Sequence, residues 1–309
     1  MPATAEEISP LLPPVLRRGD TIGLVAPAGA WREEQFASGV HLLGEAGFPV
    51  KIARGLDARE GYLAGPDAHR SALFHEVWRD PEVKAVLAVR GGYGALRILA
   101  DIDYRLLRAF PKPFIGFSDI TALHGAITRK AGLVTFHGPM VTTLATSDPE
   151  SLHAFFLALT RGIVEPISSP ALTILKAGTG RGPLVGGNLT TLVHLLATPF
   201  ENPWQGKIVL LEDVGEAPYR IDRLLTHLKM AGRFAGVSGL LLGSFTDCGD
   251  EEIIWARVME LFADESFPIW ARLPAGHGPG NRILPFGVEA IMDSGSGVLA
   301  FAGPCCRTD

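Results

Sequence analysis

Lys112-Pro-Phe-Ile-Gly-Phe-Ser-Asp-Ile-Thr121 runs from an apolar strand directly into the polar opening of a helix. Phe114 to Phe117 has the short, unbroken apolar character of a strand covered on both faces, and Asp119 to about Lys130 carries helical spacing. The same alternation extends outward from this stretch. Thr21 to Ala26 reads as a buried strand ending in the turn Pro27-Ala-Gly29, and Glu33 to Ala46 places Phe36, Val40, Leu43 and Ala46 three or four residues apart, as a helix does. Pro49 to Ala53 reads as a strand, Ser71 to Trp78 as a helix, and Val83 to Val89 as a strand entering Arg90-Gly-Gly-Tyr-Gly94. Strand and helix in turn predict an α/β domain with a parallel sheet, whose ligands bind beyond the carboxyl ends of its strands.

From Thr160 to Pro183 the helical period fades and Pro, Ser, Thr and Gly accumulate, which marks the crossing between two domains, 1–165 and 166–309. The second opens with Leu184-Val-Gly-Gly-Asn-Leu189. It continues with a strand at Lys207–Leu211, a helix near Arg220–Ala231, a strand at Gly239–Ser244, a helix near Glu251–Ala263 and turn-rich ribbons, an α+β pattern. A length of 309 residues suits two domains at roughly 150 residues each.

The 47% hydrophobic content is ample for buried cores and excludes disorder as the main state. Net charge is −5 and no basic run exceeds Arg17-Arg18, which argues against a nucleic-acid or anionic-membrane surface. Cys248, Cys305 and Cys306 have neither disulfide-framework nor metal-type spacing, so a reducing, cytoplasmic setting is expected. No stretch approaches the ~18 apolar residues of a spanning helix. Met1 to Arg18, with Glu6, Glu7 and several prolines, reads as an irregular arm and not as a signal peptide.

Three groups could carry chemistry. Ser118 sits where strand reverses into helix, and Gly116 permits close backbone approach. A hydroxyl at such a turn is exposed, and the N–H that follows it can face a developing oxyanion. A serine that merely caps a helix fits the same pattern. Glu212-Asp213 ends the apolar run Ile208-Val-Leu-Leu211; there a shielded carboxylate can orient an imidazole, and Asp213 would point the opposite way. Two acids in a solvated turn are the other reading. His277 lies among glycines and prolines in Leu273-Pro-Ala-Gly-His-Gly-Pro-Gly-Asn281, with room to meet a substrate, and His137 in Thr135-Phe-His-Gly138 is its rival. His124, His194 and His227 fall in helical segments, as packed or surface residues. Arg90-Gly-Gly-Tyr-Gly94 could cradle an anion, lend the Gly92 N–H to an oxyanion near Ser118, or simply turn the chain. No metal-ligand spacing is present.

Taken in order, Gly19-Asp-Thr-Ile-Gly-Leu-Val-Ala-Pro-Ala28, Arg90–Gly94, Gly116-Phe-Ser-Asp119, Gly186-Gly-Asn-Leu189, Leu211-Glu-Asp213 and Gly276-His-Gly278 resemble the LD-carboxypeptidase family of serine peptidases. That family includes the microcin C7 self-immunity peptidases, and the resemblance spans about Leu16 to Gly303. It implies a Ser118–His277–Glu212 triad shared between two domains, with backbone N–H groups of Asp119 and Gly92 as the oxyanion hole and Gly187-Asn188 lining the substrate cleft. It further implies an amidotransferase-like α/β first domain, a smaller β-rich second domain, a homodimer, and no cofactor or metal. An amidotransferase-type Cys nucleophile is ruled out, because no cysteine occupies the turn.

Two substrates follow from the resemblance. One branch releases terminal D-alanine from cytoplasmic murein tetrapeptides during cell-wall recycling; the other cleaves an aspartyl–nucleotide amide. The stretch from Asn188 to Glu212 is short and lacks the added loop of microcin-type members, which favours the murein peptide, although Trp204 could offer an aromatic face to a base. A catalytically silent cell-wall peptide-binding protein is the reading from another class.

Overall fold

The computed structural model describes residues 10–278 and 280–308; the first half of the N-terminal arm, with Glu6 and Glu7, lies outside the described residues. In the first half of the chain, short β-branched runs become β1 (Thr21–Val25), β2 (Val50–Ile52), β3 (Val83–Ala88), β4 (Phe114–Gly116) and β5 (Thr135–His137). Between and after them lie α1 (Glu33–Glu45), α2 (Asp67–Arg79), α3 (Ala95–Ile98), α4 (Tyr104–Ala109), α5 (Thr121–Ala131), α6 (Val141–Leu144) and α7 (Pro149–Arg161). All five strands pair in parallel, in the order β5-β4-β3-β1-β2. The helical spacing read from α1 is used as expected: Phe36 and Leu43 are buried against the sheet.

The second half supplies β6 (Thr173–Lys176), β7 (Thr179–Asn188), α8 (Leu189–His194), β8 (Ile208–Val214), α9 (Pro218–Met230), β9 (Gly239–Thr246), α10 (Glu251–Leu261), β10 (Ile269–Ala271), β11 (Leu284–Phe286), β12 (Glu289–Asp293) and β13 (Val298–Phe301). Here β7, β8, β9 and β10 run parallel, flanked by antiparallel β6 on one side and β12-β13 on the other, in a seven-stranded sheet. The fold is therefore two α/β units, each with its own sheet.

The chain does not divide cleanly after residue 165. β11 crosses back and pairs antiparallel with β5, Leu284 opposite His137, as the sixth strand of the first sheet. The tail also returns: Cys305 and Cys306 are buried in the apolar cluster beneath α1 and α7, and the Cys305 thiol donates to the Ala158 carbonyl at 3.6 Å.

One continuous apolar cluster crosses between the units. Phe117, Leu123 and Ile127 from the first pack in it with Leu189, Val209 and Leu211 from the second. Burying one side chain of this size stabilises by about 1.5–3 kcal/mol. Parting the units would expose several of them, so the shared core holds the two carboxyl-end rims against each other. Thr121 adds a polar stitch by accepting from the Asn188 N–H at 3.0 Å.

Candidate active site

Ser118 follows β4 with φ of +64°, in the left-handed region that a residue with a β-carbon seldom occupies. Ser118–Ile120 then forms a single 3₁₀ turn leading into α5. Two glycines make the turn possible. A β-carbon at Gly116 would stand 2.8 Å from the Ile120 side chain, and one at Gly91 would stand 2.7 Å from Ser118 Cβ and 3.0 Å from its Oγ. The elbow therefore rests on the Arg90–Gly94 loop, with Gly91 as the point of contact.

The cap reading of Ser118 fails, because this turn has no side-chain cap bond and the hydroxyl is engaged elsewhere. It donates to His277 Nε2 at 3.1 Å, while His277 Nδ1 lies 2.6 Å from Glu212 Oε2. An ionised carboxylate can only accept, so the ring proton sits on Nδ1 and the Nε2 lone pair faces the hydroxyl. Glu212 is fully buried, His277 is 18% exposed at its side chain and Ser118 is half-buried. The relay thus leads from a dry carboxylate to a hydroxyl at the surface.

Glu212 and Asp213 are not a solvated turn. β8 continues through both, the two side chains are 0% and 2% exposed, and a register shift between Leu211 and Asp213 marks an irregularity in the ladder at Glu212. Asp213 is turned to α8, accepting from Asn188 Nδ2, the Thr190 N–H and the Thr190 hydroxyl. Burial of His277 opposes its protonation, but the Glu212 hydrogen bond and the charges of Glu212 and Asp213 outweigh it, and the imidazole pKa lies above its ordinary value.

The His277 loop joins β10 in the second sheet to β11 in the first, and both units hold it. Gly276 N–H donates to Asn281 Oδ1 and Gly278 N–H to Ser244 Oγ. Asn281 N–H reaches the Ser151 hydroxyl on α7, which in turn donates to Asp148. Phe117 packs edge-on against the imidazole with centroids 4.8 Å apart. Ser244, Asn281 and Ser151 escaped the sequence reading; a lone hydroxyl ending the apolar run of β9 was the available signal for Ser244.

His137, the rival histidine, is fully buried on β5, packed on Phe117 and Phe286, with neither ring nitrogen hydrogen-bonded among the described residues. Burial holds its pKa well below the ordinary value, so it stays neutral and out of reach of a substrate. Asp119 and Thr121 do not serve the first turn of α5 as polar N-terminal residues might. The Asp119 carboxylate accepts from Ala95 N–H at 2.8 Å, tying the elbow to the glycine loop, and burial raises its pKa to about 6.

Gly92 lies on the exposed crest of that loop, and the Asp119 amide borders Gly91 on the Ser118 side. Gly187 and Asn188 sit at the seam between units: a β-carbon at Gly187 would stand 2.4 Å from Thr121 Oγ1. The Asn188 side chain is committed internally, donating to Asp213 and accepting from the Thr191 N–H and hydroxyl. The side chain joins α8 to β8, and the backbone N–H of the same residue reaches Thr121 on α5. Trp204 is buried against Phe234 beneath Arg233 and presents no open face. No cluster of three or more His, Cys, Asp or Glu fit for a metal occurs among the described residues.

Comparison with known proteins identifies the family. Residues 22–138 match the LD-carboxypeptidase N-terminal domain and residues 181–292 the LD-carboxypeptidase C-terminal domain. A probable murein peptide carboxypeptidase of Bacillus subtilis is 39% identical over 91% of this chain and 91% of its own length. The chain belongs to the LD-carboxypeptidase family. Like others of the family, this LD-carboxypeptidase is a serine-type peptidase. The crystal structure of muramoyltetrapeptide carboxypeptidase from Oxalobacter formigenes superposes with a TM-score of 0.80 at 31% identity, covering 90% of this chain and 97% of that one. The microcin C7 self-immunity protein MccF of Escherichia coli is 29% identical over 92% of the LD-carboxypeptidase chain and 93% of its own length.

Proposed function

We propose that this LD-carboxypeptidase releases terminal D-alanine from murein tetrapeptides through Ser118, His277 and Glu212. The observation that carries the reading is the unbroken relay from Glu212 Oε2 through the imidazole to Ser118 Oγ, spanning 2.6 and 3.1 Å. Ser118 Oγ attacks the carbonyl carbon of the bond before D-alanine as His277 Nε2 takes the hydroxyl proton. The tetrahedral oxyanion is met by the Asp119 and Gly92 N–H groups. The C–N bond then breaks, His277 protonates the departing amine, and the peptide remains as a Ser118 ester. Water, deprotonated by the same imidazole, hydrolyses the ester and frees the serine.

The names of the relatives in Bacillus subtilis and Oxalobacter formigenes support the murein peptide. The buried position of Trp204 weighs against an aspartyl–nucleotide substrate, since the ring cannot stack on a base. The proposal includes a cytoplasmic setting in cell-wall recycling and a homodimeric state, which light scattering on the purified protein reads directly. No helix among the described residues is long and apolar enough to cross a membrane.

Mass spectrometry of a tetrapeptide ending in D-alanine tests the reading. Loss of one alanine with wild type, and none with Ser118→Ala, is the expected result. Cleavage of an aspartyl–nucleotide amide in place of the tetrapeptide overturns the substrate assignment, and silence on both leaves a binding protein.

A further inference from the structure

A carboxypeptidase tells a chain end from an internal bond by its free carboxylate. In the proposed substrate that carboxylate is on the carbon bonded to the scissile nitrogen, so a cation at the rim of Ser118 is well placed to bind it. We propose that Arg90 is that partner, a specificity residue that binds the substrate's terminal carboxylate; the inference rests on the peptidase reading above.

Position is the first argument. Arg90 lies two residues past the end of β3 and precedes Gly91, where a β-carbon would press on the Ser118 side chain. Gly91 O accepts from the Gly29 N–H at 2.9 Å, so the ends of β1 and β3 are locked together next to the elbow. The guanidinium carbon lies 3.9 Å from where a Gly92 β-carbon would be, on the crest assigned above to the oxyanion.

Availability is the second. Arg90 is exposed, and a single bond from Nη1 to the Ala30 carbonyl anchors its head. A guanidinium has five N–H donors, so most of the fork is left to an incoming anion. It forms no ion pair among the described residues. Arg70 and Arg97 are spoken for: Arg70 is buried, paired with Asp67 and bonded to the Gly65, Pro27 and Gly94 carbonyls, and Arg97 is paired with Asp67. Arg59, like Arg90, keeps a single bond, to the Trp31 carbonyl, so it is the adjacency to Gly91 that singles out Arg90. A planar fork held at one corner suits a carboxylate through two parallel bonds, which a lysine cannot reproduce.

The test compares kcat/KM for two peptides, the tetrapeptide ending in D-alanine as free acid and the same peptide ending in D-alaninamide. Charged hydrogen bonds of this kind are expected to give wild type a preference for the acid on the order of 10²-fold. Arg90→Gln should bring the ratio close to one, and Arg90→Lys should retain part of it. Wild type that cleaves, with an acid-to-amide ratio unchanged in Arg90→Gln, overturns this inference alone. Wild type that cleaves neither peptide removes the peptidase reading and the inference with it.

Discussion

Replacing Gly276 by alanine tests whether the fit of Glu212 against the histidine loop controls the rate. Gly276 has φ of +104°, and a β-carbon there would stand 2.5 Å from Glu212 Oε2, 2.8 Å from its Cγ and 2.8 Å from Ser244 Oγ. Ordinary contact begins at 3.4 Å, so either the carboxylate or the loop must give by roughly 0.9 Å. The bond at stake, Nδ1 to Oε2, is only 2.6 Å long, and a displacement of that size takes it out of hydrogen-bonding range. Misplacing a catalytic group by about 1 Å costs on the order of 10²-fold in rate. The backbone conformation adds about 1–3 kcal/mol of strain, which lowers the melting temperature by several degrees. Gly297→Ala separates the two effects: it has φ of +65°, nothing within 4 Å of the added carbon, and a place in the β12–β13 turn. Steady-state D-alanine release should fall about 10²-fold for Gly276→Ala and stay at the wild-type rate for Gly297→Ala, with both variants melting early. If Gly276→Ala keeps kcat within about threefold of wild type, the packing of Glu212 against this loop does not govern catalysis.

Two further outcomes follow from the charges. His277 works as a base only when neutral, so kcat/KM should fall as pH drops through its pKa, with an inflection above the ordinary 6.5. In Glu212→Gln the opposing burial remains while the main source of the rise is gone, so the inflection should move below that of wild type as the rate falls; an unmoved inflection would show that Glu212 does not set it. Asp119, with a folded pKa of about 6 against an ordinary 3.8, binds its proton more readily when folded. Its contribution therefore falls as pH rises from about 4 to about 6, by on the order of 3 kcal/mol. The melting-temperature difference between wild type and Asp119→Asn should shift toward the variant across that range, and a flat difference would refute the assigned burial cost.

Much of this site was written locally. The elbow was legible because Phe114–Phe117 is apolar, Gly116 is small and the helix opens with polar residues. Glu212 was legible as an acid ending an apolar run, and His277 as an imidazole in a loop too rich in glycine to pack on its own. What escaped depends on distant partners. β11 is three residues long with a central proline, and only its pairing to β5 makes it a strand of the first sheet. Thr121 and Asp119 looked like helix-start residues, yet one stitches the two units and the other holds the glycine loop. Family resemblance alone assigns Asn188 to the substrate cleft, and nothing in its local sequence tells that its side chain is engaged with Asp213 and Thr191. Arg70 pairs locally with Asp67, but its burial depends also on the Pro27 and Gly94 carbonyls, which only the fold brings to it.

Activation of Ser118 as a nucleophile by His277 and Glu212 is open to direct chemical test. Labelling the native protein with a fluorophosphonate and mapping the adduct by peptide mass spectrometry tests it most directly. One adduct per chain is expected, on Ser118, formed more slowly in Glu212→Gln and absent after denaturation. An adduct on another residue, or equal labelling of native and denatured protein, would contradict it.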